Sequence, residues 1–161
     1  MRTRPAAVKR RAVRPPIDTL PGTDIVWPTM AAKVFTVDEA NRMLPLVERI
    51  VRDIVAAHGV LQERAGEYST LDSEAPGTDE RRRELRREID SLTEQVNGYI
   101  TELHRLGCLF KGFDEGLVDF YTLHGDQPVF LCWKLGEASI EWWHEIDAGY
   151  AGRQPLAALL D

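Results

Sequence analysis

The chain has 161 residues, of which 43% are hydrophobic and 29% are charged. These values predict one soluble domain with its own core. They exclude a membrane protein, because no apolar run approaches the roughly 20 residues of a membrane span. The basic start lacks the apolar block of a secretory signal. Two cysteines, Cys108 and Cys132, form neither a disulfide framework nor a recognisable zinc or redox motif, so a reducing cytoplasm is the predicted compartment.

The charge is distributed unevenly along the chain. Residues 1–29 contain six basic and two acidic residues, a net charge of +4, so the remainder carries −10 to give the total of −6. This Pro- and Arg-rich tail has no hydrophobic period and is predicted to be disordered. Nucleic acid is not expected as a partner except through the basic tail 1–14, because phosphates repel the acidic body. A tail without a role and a true start at Met30 are the favoured alternatives.

A first helix is predicted to follow the capping box formed by Thr36 and Glu39. Apolar residues then recur at helical spacing as far as Tyr68. Pro45 lies inside this run, where it is expected either to kink the helix or to move its start later.

A second helix is predicted after the turn-rich connector 69–79, and Gly107 stands where a left-handed helix end belongs. The two helices should form an antiparallel hairpin of coiled-coil type, with arms of roughly 40 Å. The predicted seam of the second helix has strict heptad spacing and consists of Leu85, Ile89, Leu92, Val96, Tyr99, Leu103 and Leu106.

Five arginines crowd the start of the second helix, where they oppose the helix dipole. Neighbouring acids favour a solvated face of ion pairs, with a docking patch for an anionic partner as the alternative. The five are Arg81, Arg82, Arg83, Arg86 and Arg87.

The chain after Gly107 changes to a strand-like pattern. Residues 116–123, 129–135 and 140–146 are predicted strands, joined by short turns that favour an antiparallel meander. The predicted fold is therefore α+β: a long antiparallel helical hairpin packed with a small antiparallel three-stranded sheet. Residues 30–107 form the hairpin, and residues 108–161 form the sheet and a C-terminal loop in the same domain. A short tail, 156–160, is expected to dock on the body.

Four stretches carry a resemblance to a known family. They are FTVDEANRMLPLV at 35–47, GLVDF at 116–120, LCWKLGE at 131–137 and WHEIDAGYAGRQPL at 143–156. In these stretches the chain resembles a family of bacterial proteins catalogued as domain of unknown function 2203. The resemblance covers residues 35–156 and implies no activity, cofactor or catalytic residue.

The alternation of side chains along the strands places Asp119 and His144 on otherwise apolar faces. An unpartnered buried carboxylate is costly, so the two are predicted to form a pair. The pair either holds the sheet in register or orients the imidazole as a general base.

A mononuclear metal site is a second interpretation of the same region. His144, Asp147, Asp119 and Cys132 come from neighbouring segments, and zinc or iron would accept such ligands. Glu141 and His144 have the spacing of a di-iron motif, but they lack its second copy and its helical context.

The complete candidate pocket is Asp119, Cys132, Trp133, Glu137, His144, Glu145 and Asp147. Gly149, Gly152 and Arg153 form a candidate anion-binding loop, because successive backbone amides and a guanidinium can hold an anion. The alternative is a tight turn in which Arg153 pairs with Glu137 or Asp147.

If Trp142 and Trp143 lie in a strand, they point to opposite faces, so one of them either forms a contact surface or is covered by the tail.

Two functions are compatible with these patterns, and no cofactor is identified. The preferred hypothesis is an interaction module that binds a protein partner or forms a homo-oligomer through the hairpin and the Trp-rich sheet. The alternative is a small metal- or anion-binding enzyme with a pocket in the C-terminal sheet.

Overall fold

The first helix, α1, spans Val37–Thr70 and begins where the capping box predicts. The Thr36 hydroxyl oxygen accepts a hydrogen bond from the Glu39 amide at 3.1 Å, and the Glu39 carboxylate accepts one from the Thr36 amide at 3.2 Å. Such caps contribute about 1 kcal/mol to stability. The helix runs through Pro45, so this proline does not move the start.

This computed structural model describes residues 33–160, without the side chain of Leu160. The predictions for the tail 1–29 and for Met30 therefore lie outside the described residues.

The second helix, α2, spans Asp79–Arg105 and packs along α1 as the predicted hairpin. Its end is a left-handed glycine: Gly107 has φ +88°, and the Cys108 amide donates to the Leu103 carbonyl at 3.1 Å. This is the Schellman arrangement expected at a helix end. The buried stripe of α2 also includes Thr93 and Ile100, so it is wider than the predicted heptad seam. A coiled coil is not confirmed, because the hairpin also has to cover a sheet.

The arginines at the start of α2 are held by acids and by the end of α1. Arg81 donates to both carboxylate oxygens of Glu67, at 2.7 and 2.9 Å. Arg82 donates to the Leu71 carbonyl at 3.1 Å and to the Tyr68 hydroxyl at 3.0 Å. These contacts join the two ends of the hairpin loop and match the predicted ion-paired face.

The sheet has five antiparallel strands in sequential order, not the predicted three. The two additional strands are short and lie at the edges, where pairing with a neighbour, and not a sequence pattern, defines them. The third predicted strand, 140–146, is reduced to its central four residues. The strands are β1 Leu109–Gly112, β2 Leu117–His124, β3 Gln127–Lys134, β4 Trp142–Glu145 and β5 Gln154–Pro155.

The C-terminal segment contains regular structure where only a loop is predicted. A 3₁₀ turn spans Tyr150–Gly152 before β5, and a short helix, α3, spans Ala157–Leu160. Leu159 is buried in the main core, so the tail docks on the body as expected.

The helical hairpin covers one face of the sheet, and one hydrophobic core joins the two. Alternation along the strands places Asp119, Cys132 and His144 on the opposite face, away from the helices. None of the helices in residues 33–160 has an apolar stretch long enough to cross a membrane. The core contains Val47, Val51, Ile54 and Ile100 from the helices and Val118, Phe120, Leu131, Trp133 and Trp143 from the strands.

Candidate metal centre

Strand register brings three potential metal ligands together on the outer face of the sheet. Asp119 of β2 lies directly opposite Cys132 of β3. His144 of β4 lies opposite Phe130, one side-chain repeat from Cys132 on the same face. The exposed fractions of Asp119, Cys132 and His144 are only 3%, 1% and 2%. Three polar groups from three strands are therefore removed from water at one point.

Asp119 and His144 form the predicted hydrogen-bonded pair. The Nε2 atom of His144 lies 3.0 Å from a carboxylate oxygen of Asp119. The other ring nitrogen, Nδ1, lies 2.7 Å from the Glu145 carbonyl oxygen. Because a carbonyl can only accept, Nδ1 carries the proton of that contact. The backbone thus fixes the orientation of the ring and directs Nε2 towards Asp119.

The charge state of this pair follows from two opposing effects. Burial by itself would lower the pKa of His144, but the hydrogen bond to Asp119 and the negative charge of Asp119 together raise it above its ordinary value. An imidazolium facing a carboxylate is therefore favoured, and each group compensates the burial of the other.

Cys132 completes the group of three. Its sulfur, one carboxylate oxygen of Asp119 and one ring nitrogen of His144 all lie within 4.8 Å of one another. Burial raises the pKa of the Cys132 thiol, and the negative charge of Asp119 raises it further. The thiol is thus protonated unless a cation compensates its charge. Oxygen, sulfur and imidazole nitrogen together form a donor set typical of zinc and iron sites.

Arg153, in the C-terminal segment, lies beside Cys132 at one side of this group. Its guanidinium lies over the rings of Trp142 and Tyr150, 5.2 and 5.1 Å from their centroids. It donates to the Cys132 carbonyl oxygen at 3.1 Å and to the Glu137 carboxylate at 2.5 Å. Arg153 is therefore paired with Glu137, one of the two acids proposed for it above.

Glu137 and Trp133 anchor the turn beside the site. The Glu137 carboxylate also accepts from the Lys134 amide at 2.9 Å, and its carbonyl accepts from the Trp133 indole at 2.9 Å. Trp133 itself lies in the core on the helix side of the sheet. Trp133 and Glu137 thus support the site from outside the group of donors.

The remaining candidates are not brought into the group. Asp147 is exposed and does not belong to the cluster of donors, and Glu145 contributes only its backbone carbonyl. The amides of Gly152 and Arg153 donate to carbonyls of the 3₁₀ turn, at 3.0 and 3.2 Å. These two amides are therefore occupied within the turn and are not directed at an anion.

Two residues at the edge of the site were not among the candidates. The ammonium of Lys111 lies 4.9 Å from the centre of the Phe130 ring, and that ring packs against His144. Tyr150 lies under Arg153 and close to Lys134. Lys111 belongs to β1 and Tyr150 to the 3₁₀ turn, two elements that the sequence pattern does not reveal.

Residues 33–156 match the family model described as "Uncharacterized conserved protein (DUF2203)". No curated protein and no solved structure matches the chain.

Proposed function

The chain belongs to this family of uncharacterised conserved proteins, and we propose that it binds a metal ion through Asp119, Cys132 and His144. The observation that carries the proposal is the convergence of three different donor atoms within 4.8 Å in a buried site. Zinc–ligand bonds of about 2.0 to 2.3 Å require donor atoms roughly 3 to 4 Å apart. A small movement of side chains is enough to reach that spacing.

The surroundings of His144 support a ligand role. Metal-binding histidines commonly donate their second ring N–H to a backbone carbonyl, which fixes the tautomer. Here Nδ1 contacts the Glu145 carbonyl, so Nε2 is the nitrogen available to a metal. Three protein ligands would leave one coordination position for water or a small ligand, as in catalytic zinc sites.

Charge balance supports a divalent cation. A buried thiolate and a buried carboxylate place two negative charges in one site, which a Zn²⁺ or Fe²⁺ ion would neutralise. Without a metal, the raised pKa of His144 favours its protonated form beside Asp119, and the raised pKa of Cys132 favours the neutral thiol. Metal binding should therefore release protons.

Cobalt titration tests the proposal, using protein prepared without a histidine tag. We expect one Co²⁺ per chain and an absorption band from sulfur-to-cobalt charge transfer. Cys132→Ser should remove that band. His144→Gln and Asp119→Asn should each weaken binding at least tenfold, because losing even a residue that only orients a metal ligand typically costs about 10- to 100-fold in affinity. Cys108→Ser is the matched control, because Cys108 is equally buried but lies in the helix-facing core.

Two results would contradict metal binding. One is a wild-type protein that binds neither Co²⁺ nor Zn²⁺ above background. The other is a charge-transfer band that disappears in Cys108→Ser and persists in Cys132→Ser.

An interaction function stays the second candidate. The apolar stripes of α1 and α2 face each other and the sheet, so the hairpin seam is occupied within the molecule. Exposed large apolar side chains include Leu46 and Val60 on α1, at 41% and 38%. At the far end of the outer sheet face, Leu123 and Ile146 are 52% and 39% exposed. Sedimentation over a hundredfold range of concentration tests self-association, and a constant monomer mass would remove it.

A further inference from the structure

We infer that residues 146–160, here called the C-terminal strap, form the gate through which metal enters and leaves the Asp119–Cys132–His144 site. The Glu137–Arg153 ion pair is the latch that holds this gate closed. This inference rests on the proposed function and adds to it a means of controlling access.

The latch is largely removed from water. The side chains of Arg153 and Glu137 are 11% and 12% exposed. Arg153 reaches from the strap to the Cys132 carbonyl and so covers the strand that carries the sulfur ligand. Trp142 and Tyr150 line the path of its guanidinium. An ion approaching Cys132 from this side must therefore displace Arg153.

Two other approaches to the site are closed by rigid parts of the fold within residues 33–160. The hydrophobic core lies behind the sheet. Along the outer face, the Phe130 ring packs between Tyr121 and His144, with centroid distances of 4.5 and 5.4 Å. Opening either route would disturb the core or a strand in the middle of the sheet. The strap is the cover that can move at least cost.

The strap is attached by few contacts. Its strand, β5, has only two residues paired with β4. The Trp143 indole donates to the Pro155 carbonyl at 3.2 Å, and the Leu156 amide donates to the Glu141 carbonyl at 2.9 Å. Among its described side chains, Leu159 is buried and Leu156 is partly buried against the same core. Segments with so few buried contacts open locally without global unfolding.

Not all polar atoms of the Glu137–Arg153 latch have a hydrogen-bond partner. Within residues 33–160, Oε2 of Glu137 and Nε of Arg153 are buried and have no hydrogen-bond partner. Buried polar atoms without partners are destabilising, and water satisfies them as soon as the strap lifts. This lowers the cost of opening relative to a fully bonded ion pair.

Metal transfer kinetics test the gate. Protein loaded with Co²⁺ is mixed with excess chelator, and uptake is followed separately by mixing metal-free protein with Co²⁺. In Glu137→Gln and Arg153→Gln, we expect both rates to rise at least tenfold, with the dissociation constant changed less than threefold. The control is Glu80→Gln, which breaks the exposed Arg83–Glu80 pair and should leave both rates unchanged.

The outcomes separate the gate from the site. If the wild-type protein binds no metal, both the proposed function and the gate are contradicted. If it binds metal but the latch variants exchange at the wild-type rate, only the gate is contradicted. A rise in the release rate alone also overturns the gate, because it shows lost affinity and not easier access.

A measurement on the wild-type protein avoids dependence on variants. Amide hydrogen exchange of Leu156 reports opening of the strap, because its N–H bonds to Glu141 outside any helix. Under conditions where opening limits exchange, we expect metal release to be no faster than strap opening. Metal release that clearly outpaces the opening of Leu156 would overturn the gate.

Discussion

Asp119 and His144 show how a single hydrogen bond makes two costly residues tolerable. Both are almost fully buried on the outer sheet face, and each supplies what the other lacks. Removing one partner leaves the other buried without compensation, which is more costly than never having had the pair.

We expect Asp119→Ala to lower the free energy of unfolding of the metal-free protein by about 3–5 kcal/mol. Urea denaturation at pH 7 measures the loss. Glu80→Gln, in an exposed ion pair, should cost less than about 1 kcal/mol. Equal costs for the two variants would show that the buried pair is not a stabilising contact.

His58 is a second buried histidine, with a different surrounding. It is stacked on Phe113 with 3.9 Å between ring centroids, and its Nε2 has no hydrogen-bond partner within residues 33–160. Burial lowers the pKa of His58 by more than the nearby charge of Asp114 raises it. His58 therefore stays neutral in the folded protein at a pH where the unfolded chain is already protonated.

The consequence is a loss of stability in acid. An unperturbed histidine has a pKa of about 6.5, so below that pH the unfolded state takes up a proton that folded His58 does not. Stability should fall as the pH is lowered from about 6.5 towards the depressed pKa. Urea denaturation between pH 7.5 and 5 should show a shallower decline for His58→Phe than for wild type. The exposed His124→Gln serves as control, and identical slopes for His58→Phe and wild type would contradict the assignment.

At the scale of elements, the ends of the helices are defined by local chemistry. Thr36 and Glu39 cap the start of α1, and Gly107 ends α2 with a positive φ. Gly98, in contrast, lies in the middle of α2, where an added Cβ would have no neighbouring atom within 4 Å. Relative to alanine, glycine thus stabilises the fold at position 107 and destabilises it at position 98.

Replacing each glycine by alanine should change stability in opposite directions. Gly107→Ala should destabilise by about 1–2 kcal/mol from its positive φ alone, with an added cost because its Cβ would lie 2.8 Å from Lys33 Cβ. Gly98→Ala should stabilise by about 0.5–1 kcal/mol. Thermal and urea denaturation measure both. Similar effects of the two substitutions would contradict a left-handed end at Gly107.

Residues 33–160 are organised by a main hydrophobic core that the hairpin and the sheet share. Helix residues such as Ile54 and Ile100 pack in the same cluster as Phe120 and Trp133 of the sheet. A second, smaller cluster near the hairpin tip contains Leu61, Ala65 and Ile89. The two helices link both clusters, so the folded part should unfold as one unit.

Helical circular dichroism and tryptophan fluorescence should therefore report the same unfolding midpoint. In a Trp27→Phe background, the three remaining tryptophans all lie in β3 and β4. Leu61→Ala, at the remote tip, should lower the stability seen by both probes by roughly 2–5 kcal/mol. A shift confined to the helical signal would show that hairpin and sheet unfold separately.

The sequence alone was sufficient for elements whose signal is local. The capping box, the apolar period of the helices and the glycine at 107 each act within a few residues, so both helices and their limits follow from the chain. The strand-like composition of 116–123 and 129–135 likewise predicts two strands, and alternation along the strands predicts the faces of Asp119 and His144.

Only the tertiary structure determined the rest. Strands β1 and β5 are too short to carry a pattern and exist because a neighbouring strand offers free hydrogen-bonding groups. The candidate site also depends on the tertiary structure, because its residues are far apart in the sequence. The register between strands, and not the spacing along the chain, brings Cys132 and His144 to Asp119. Asp147 stays in solvent. Arg153 reaches Glu137 because the strap folds back over the sheet, a contact between segments that no local preference encodes.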